Sequence, residues 1–265
     1  MRDLDNLKTA AIEAGKIALG YFDKNYKTWD KDAGAGPVTE ADLEIDYFLK
    51  TFLLKCEPQY GWLSEETEDH SSRLTKTKVF IVDPIDGTRS FIAGDETWAH
   101  SLAVVENGIP IAAVIYLPKM ALLYTAEVNK GAFLNGNKIS VSQNCELKDA
   151  EILAKKSILN ENIWKSNDPA LFRQRYRPSL AYRLALVAEG RFDAMITLGR
   201  SWEWDICAGH LLVSEAGGSV TTNFGNKIVS KILNNFLTPP FIIFTNFFFF
   251  KIFFEQPICI SSLIP

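Results

Sequence analysis

A chain of 265 residues with 47% hydrophobic and 23% charged content carries enough apolar material for one large domain or two tightly joined halves. Its formal net charge of −4, with no basic stripe, speaks against nucleic-acid binding. Met1-Arg2-Asp3-Leu4-Asp5 lacks the pattern of a signal peptide, and the apolar stretch 241–254 is too short for a membrane span and is broken by Thr245, Asn246 and Lys251. A soluble, cytoplasmic protein without a membrane helix is expected. Cys56, Cys145, Cys207 and Cys259 show neither a CxxC pair nor zinc-ligand spacing, and are expected to be reduced and mostly buried.

Leu7, Ala11, Ala14, Ala18 and Phe22 recur at helical spacing and predict an amphipathic first helix with a small-residue face. A polar, Gly-rich loop over 30–37 follows, and Thr39 opens a second helix. Glu40 and Asp42 suit its positive end, while Ile45, Phe48, Leu49, Phe52 and Leu53 form its buried stripe. Val79-Phe80-Ile81-Val82 reads as a buried strand ending at Asp83-Pro84. Segments 102–105 and 109–117 flank the hairpin signal Glu106-Asn107-Gly108, with further strands at 122–126 and 138–141 and a turn at Asn135-Gly136. Then the rhythm changes to strand 151–154, helix 180–189 closed by Gly190, strand 192–197, helix 205–216 stopped by Gly217-Gly218, and strand 219–222. The expected organisation is two helices plus a mostly antiparallel sheet over 1–147, with an α/β half over 148–225 beside it.

Three acidic clusters stand out: Ser64-Glu65-Glu66-Thr67, Asp83-Pro84-Ile85-Asp86-Gly87-Thr88, and Trp204-Asp205 at a helix start. Asp83 and Asp86 end an apolar strand, with Pro84 fixing the backbone between them and Gly87 permitting a turn. Carboxylates forced together repel, and cations relieve the repulsion. Mg²⁺ prefers hard oxygen ligands and keeps waters that a substrate displaces. Two such ions roughly 3.5–4 Å apart can clamp a phosphate and activate a water. Taken singly, the clusters also read as turn capping, a solvated loop and a helix-dipole acid.

Together they are similar to the signatures of the inositol monophosphatase family. Asp83-Pro84-Ile85-Asp86-Gly87-Thr88 resembles the first signature, and Trp204-Asp205-Ile206-Cys207-Ala208-Gly209 with Glu215-Ala216-Gly217-Gly218 the second. Pro37-Val38-Thr39-Glu40-Ala41-Asp42, Ser64-Glu65-Glu66-Thr67 and Gly131-Ala132-Phe133-Leu134-Asn135-Gly136 match in the same order. The resemblance implies a layered αβαβα sandwich and a lithium-sensitive, homodimeric phosphatase of small phosphorylated metabolites. It implies that Glu65, Asp83 and the Ile85 carbonyl hold one Mg²⁺, and that Asp83, Asp86 and Asp205 hold a second. Asp42 and Glu66 would stand in the outer shell, where Asp42 helps a third, weaker ion. Glu65, Thr88 and Asp86 would be catalytic. Gly87, Thr88, Ser179, Arg183 and Asp205 would contact substrate, although a surface salt bridge is an equal reading for Arg183.

Some features fit this pattern less well. Family members specific for inositol phosphates carry a glutamate before the second signature, where this chain reads Thr197-Leu198-Gly199-Arg200. Glu203 is instead reminiscent of the bisphosphate-nucleotidase branch, so inositol 1-phosphate competes with adenosine 3′,5′-bisphosphate as substrate. Fructose 1,6-bisphosphate ranks last because the chain is short for a dedicated enzyme. A non-catalytic, partner-binding member of the fold is the alternative of another class. His70, His100 and His210 have no metal spacing and read as structural or surface residues, and Trp202 as a candidate cleft aromatic. The segment 226–265 is anomalously Phe-rich and matches neither helix nor alternating strand. It reads as an altered C-terminus, with a divergent closing strand as the rival.

Overall fold

The computed structural model describes residues 3–31, 36–159, 172–197, 201–222 and 242–246. Helix α1 (Asp3–Tyr21) leads to the short strands β1 (Thr28–Asp30) and β2 (Pro37–Thr39) and then to α2 (Glu40–Cys56). Next come β3 (Gly61–Ser64), β4 (Lys78–Asp86), the short helix α3 (Thr88–Ile92), β5 (Ala99–Glu106), β6 (Ile109–Leu117), β7 (Leu122–Glu127), β8 (Gly131–Leu134) and β9 (Asn137–Ile139). The later part supplies β10 (Ala150–Leu153), β11 (Phe172–Arg175), α4 (Leu180–Ala188), β12 (Ala194–Thr197), α5 (Glu203–Glu215), β13 (Gly218–Thr222) and β14 (Ile242–Asn246).

Strands β3 to β9 form a seven-stranded sheet in sequence order, in which only β3 and β4 run parallel. Two of its hairpin turns place consecutive residues at positive φ: Asn107 at 50° with Gly108 at 83°, and Asn135 at 48° with Gly136 at 82°. That backbone suits the right-handed twist of paired strands, and Asn-Gly adopts it at little cost. A second sheet has the order β11-β10-β12-β14-β13. Strands β10, β11 and β12 are parallel there, while β14 is antiparallel to both of its neighbours.

Side-chain alternation along β4 explains the layering. Phe80 and Val82 pack with Leu7, Ala11 and Ala14 of α1 and Ile45 and Leu49 of α2. Val79 and Ile81 pack on the opposite face with Leu184 and Leu212 of α4 and α5. Both faces are covered, so the strand reads as a continuous apolar run. Leu153, Met195 and Val220 bring one face of the second sheet into the α4/α5 core, and Ile152, Ala194 and Ile196 form a separate cluster on its other face. The described residues therefore stack as helices, sheet, helices and sheet in a layered α+β arrangement. No helix among them is long and apolar enough to cross a membrane.

Close packing between α4 and α5 depends on Gly209, where an added Cβ would lie 2.1 Å from Leu184 Cδ1 and 2.5 Å from its Cβ. Gly209→Ala is expected to lower the unfolding free energy by about 1–3 kcal/mol, measured by urea titration, because a packed helix pair yields little.

Two sequence expectations are corrected by the structure, and a third segment is seen in part. Strand β4 does not stop at Asp83-Pro84 but continues to Asp86, with an irregularity between Asp83 and Asp86 that accommodates a residue without an N–H. Cys56 and Cys145 are exposed because they lie at a helix end and in a connection, while Cys207 is buried within α5. Cys259 lies outside the described residues. Residues 242–246 of the Phe-rich segment form a strand whose backbone pairs with both β12 and β13. The sequence Ile242-Ile243-Phe244 gives no alternating signal, and the strand's partners are distant in sequence.

Candidate active site

In a regular strand, residues three apart point to opposite faces. The irregularity in β4 changes that. Ile85 joins the α1/α2 core, whereas the Asp86 carboxylate reaches α4, accepting from Ser179 Oγ at 2.5 Å and from the Ala181 amide at 2.6 Å. Asp83 and Asp86 are thereby brought together at one strand end. His100 secures the bend from β5: its Nδ1 bonds the Pro84 carbonyl, and a carbonyl partner requires that this nitrogen donate. Burial lowers the His100 pKa to about 4, so the ring is neutral and structural. Burial likewise takes His210 to about 4, and His70 caps a surface turn.

The other acids arrive from three elements. Glu65 and Glu66 follow β3, which lies parallel beside β4, and the Glu65 amide donates to the Val82 carbonyl at 3.2 Å. Asp42 sits in the first turn of α2, where its Oδ2 accepts from the Thr39 amide at 2.8 Å in a capping box. Asp205 occupies the matching position in α5 and accepts from the Trp202 amide at 2.6 Å. Gly87 has φ of 98°, which lets the chain turn from β4 into α3. Thr88 then donates through Oγ1 to the Ile85 carbonyl at 3.1 Å and lies 3.4 Å from Asp42 Oδ1. A cleft of about 320 Å³ opens here, lined by Glu65, Gly87, Thr88, Tyr176 and Ser179.

These acids perturb one another. Burial, then the charges of Glu65, Asp86, Asp205 and Asp42, hold the Asp83 carboxyl well above the ordinary carboxylate range. Burial, then Asp86, pushes Asp205 up to about 8. Burial takes Asp42 to about 6 and Glu66 to about 7, and it also raises Asp86 against the opposing bonds from Ser179 and Ala181.

Among the described residues, no three of these side chains are posed as the ligand set of one ion. Asp86, Asp205 and Glu65 are each turned to a protein donor. The donor chemistry nevertheless fits Mg²⁺, since every group is a hard oxygen. Asp83 Oδ1 is buried without a hydrogen-bond partner. The cluster also draws a cation from the protein itself: Lys31 Nζ lies 2.7 Å from Glu65 and 2.6 Å from Glu66.

Lys31 was not legible as a site residue, because nothing in the 30–37 loop announces a partner more than thirty positions away. Of the two readings of Arg183, the surface one is not favoured: it is buried, its Nε donates to the Ser179 carbonyl at 3.3 Å, its guanidinium lies 5.4 Å from the Tyr176 ring centre, and it forms no salt bridge among the described residues. Glu203 is buried too, in the fields of Arg73 and Asp69, which raises its pKa through burial to about 7. Trp202 is 42% exposed and stacks on Trp204 at 5.0 Å with 9° between the ring planes.

The profile of the inositol monophosphatase family matches residues 2–242. An inositol-1-monophosphatase of Mesorhizobium japonicum is 35% identical over 237 residues, covering 84% of this chain and 86% of that protein. A protein of Aquifex aeolicus named fructose-1,6-bisphosphatase/inositol-1-monophosphatase is 31% identical over 226 residues, covering 82% and 84% respectively. Among solved structures, the extragenic suppressor protein suhB of Bartonella henselae is similar with a TM-score of 0.82 and 30% identity, covering 98% of each chain.

Proposed function

The chain belongs to the inositol monophosphatase family, and from that premise we propose that it is a Mg²⁺-dependent phosphomonoesterase of small phosphorylated alcohols, with inositol 1-phosphate foremost. The observation that carries this reading is Asp83, a buried carboxylate with an unpartnered oxygen amid the charges of Glu65, Asp86, Asp205 and Asp42. Glu65, Asp83 and the Ile85 carbonyl would hold one ion, and Asp83, Asp86 and Asp205 another. Asp42 and Glu66 would stand behind them, where a third ion would bind more weakly. Bound Mg²⁺ would supply charge neutralisation, phosphate polarisation and activation of a water.

The chain's own groups would do the rest. Thr88 Oγ1 spends its proton on Ile85, which leaves its lone pairs to orient water toward the phosphorus, with Glu65 beside it to take the proton. The Gly87 and Thr88 amides would receive phosphate oxygens at the turn into α3. Ser179 fixes the Asp86 carboxylate, and Arg183, packed behind it, adds positive potential. Lithium inhibition, a homodimer and cytoplasmic residence complete the reading, supported by the family resemblance.

Adenosine 3′,5′-bisphosphate is the second reading, favoured by the exposed Trp202 face next to Asp205, which offers a base something to stack on. Chain length no longer argues against fructose 1,6-bisphosphate, since the Aquifex protein with that name is matched over 84% of its own length. Phosphate release from inositol 1-phosphate and adenosine 3′,5′-bisphosphate, with Mg²⁺ or chelator, tests the proposal. Release that needs Mg²⁺, favours inositol 1-phosphate and disappears in Asp86→Asn is expected. A folded, Mg²⁺-binding protein inert on both would point instead to the non-catalytic, partner-binding class.

A further inference from the structure

We propose that Asp46 is a positioning residue that sets the direction of the Glu65-Glu66 pair. Helical spacing puts Asp46 one turn after Asp42 on the same face of α2, in line with Leu49 and Leu53. It is buried, and its two carboxylate oxygens engage different hydroxyls. Ser64 Oγ donates to Oδ1 at 2.5 Å, and Thr67 Oγ1 donates to Oδ2. Those two residues bracket Glu65 and Glu66. The Thr67 hydroxyl also accepts from Trp62 Nε1 at 3.3 Å, so its own proton is left for Asp46.

Both ends of the acidic pair are thus tied to one rigid helix, while the Glu65 amide is tied to Val82 of β4. Packing alone has no use for a buried carboxylate held by two neutral hydroxyls, since an apolar side chain of similar size would serve without the desolvation cost. What the arrangement gains is direction: a carboxylate that must meet Asp83 is carried on a segment that cannot turn. This inference rests on the reading of Glu65 as a Mg²⁺ ligand.

Isothermal titration of Mg²⁺ into wild type, Asp46→Asn and the pair Ser64→Ala/Thr67→Val tests it, alongside steady-state kinetics and amide exchange in chelator. Asp46→Asn is expected to weaken Mg²⁺ binding about 10–100-fold, the range for groups that orient metal ligands. The Mg²⁺ concentration for half-maximal rate should rise in step, while kcat at saturating Mg²⁺ and the substrate KM stay within about twofold on the same ground. In chelator, amides 64–67 should exchange faster in the variant. The hydroxyl pair should reproduce the loss, and adding Asp46→Asn to it should cause little more. Unchanged Mg²⁺ affinity in folded Asp46→Asn would overturn the inference. Should that variant fail to fold, unchanged affinity in the hydroxyl pair would do the same. A wild type that binds no Mg²⁺ would overturn the reading of Glu65 itself.

Discussion

Asp83→Asn is expected to lower phosphate release by about a thousandfold or more while making the metal-free protein melt higher. Asparagine keeps the size of the side chain and an oxygen, but it gives up the charge that both proposed ions share. Loss of one preorganised electrostatic contact costs about 10²–10³ in rate, and on the proposed assignment Asp83 would serve two ions at once. The stability effect has the opposite sign. Without metal, the carboxylate is buried against Glu65, Asp86, Asp205 and Asp42. A neutral amide removes that repulsion, as happens when a site strained for function is relaxed. In chelator at pH 9 the variant should gain about 1–2 kcal/mol, a rise of roughly 2–8 °C for a chain of this size. Phosphate assay and thermal melting read the two effects separately. Retained activity, or a lower melting point in chelator, would contradict the assignment.

The second large effect is a reversal of pH dependence by Mg²⁺. Asp205 is raised from 3.8 to about 8, Glu66 from 4.5 to about 7 and Asp42 from 3.8 to about 6. The folded pKa exceeds the unfolded one in each case, so the native state holds protons that the unfolded chain releases. Their contribution is fully present below about pH 4 and is lost as pH rises through about 8. In chelator, stability should therefore fall by about 2–4 kcal/mol between pH 5 and 8, a conservative share of what such buried shifts imply. On the proposed assignment, saturating Mg²⁺ would bind only the ionised acids of the folded protein and should abolish or invert the slope. Urea unfolding at a series of pH values, with and without Mg²⁺, measures both arms. Parallel profiles would show that the cluster does not bind the ion.

Local chemistry was the legible part of this protein. Asn107-Gly108 and Asn135-Gly136 demand positive φ whatever surrounds them, and Thr39 with Asp42 writes a helix start into four residues. The apolar run before Asp83 placed the site at a strand end because burial on both faces leaves no alternation to misread. What stayed hidden depends on distant partners. The irregularity after Asp83 relies on the ring of His100, the Asp86 carboxylate finds Ser179 some ninety residues on, and Lys31 meets Glu65 across a loop. Strand β11 has four residues, three of them polar, and takes its conformation from β10 alone. Strand β14 could not be read because its hydrogen bonds, and not its pattern, make it a strand.

The contrast between the two sheets sets a timetable for synthesis. Each strand of the first sheet pairs with its neighbour in sequence, so this sheet can assemble as the chain leaves the ribosome and is complete once residue 139 is out. In the second sheet, β12 and β13 meet only through β14, which ends at residue 246. At about 5–20 residues per second the interval between these events lasts roughly 5–20 s. For its last part, roughly 1–5 s between residue 222 and residue 246, both strands present open edges to other nascent chains. A stalled or shortened message would release a product whose first sheet is finished and whose second has a gap between β12 and β13, a substrate for holding chaperones and proteases.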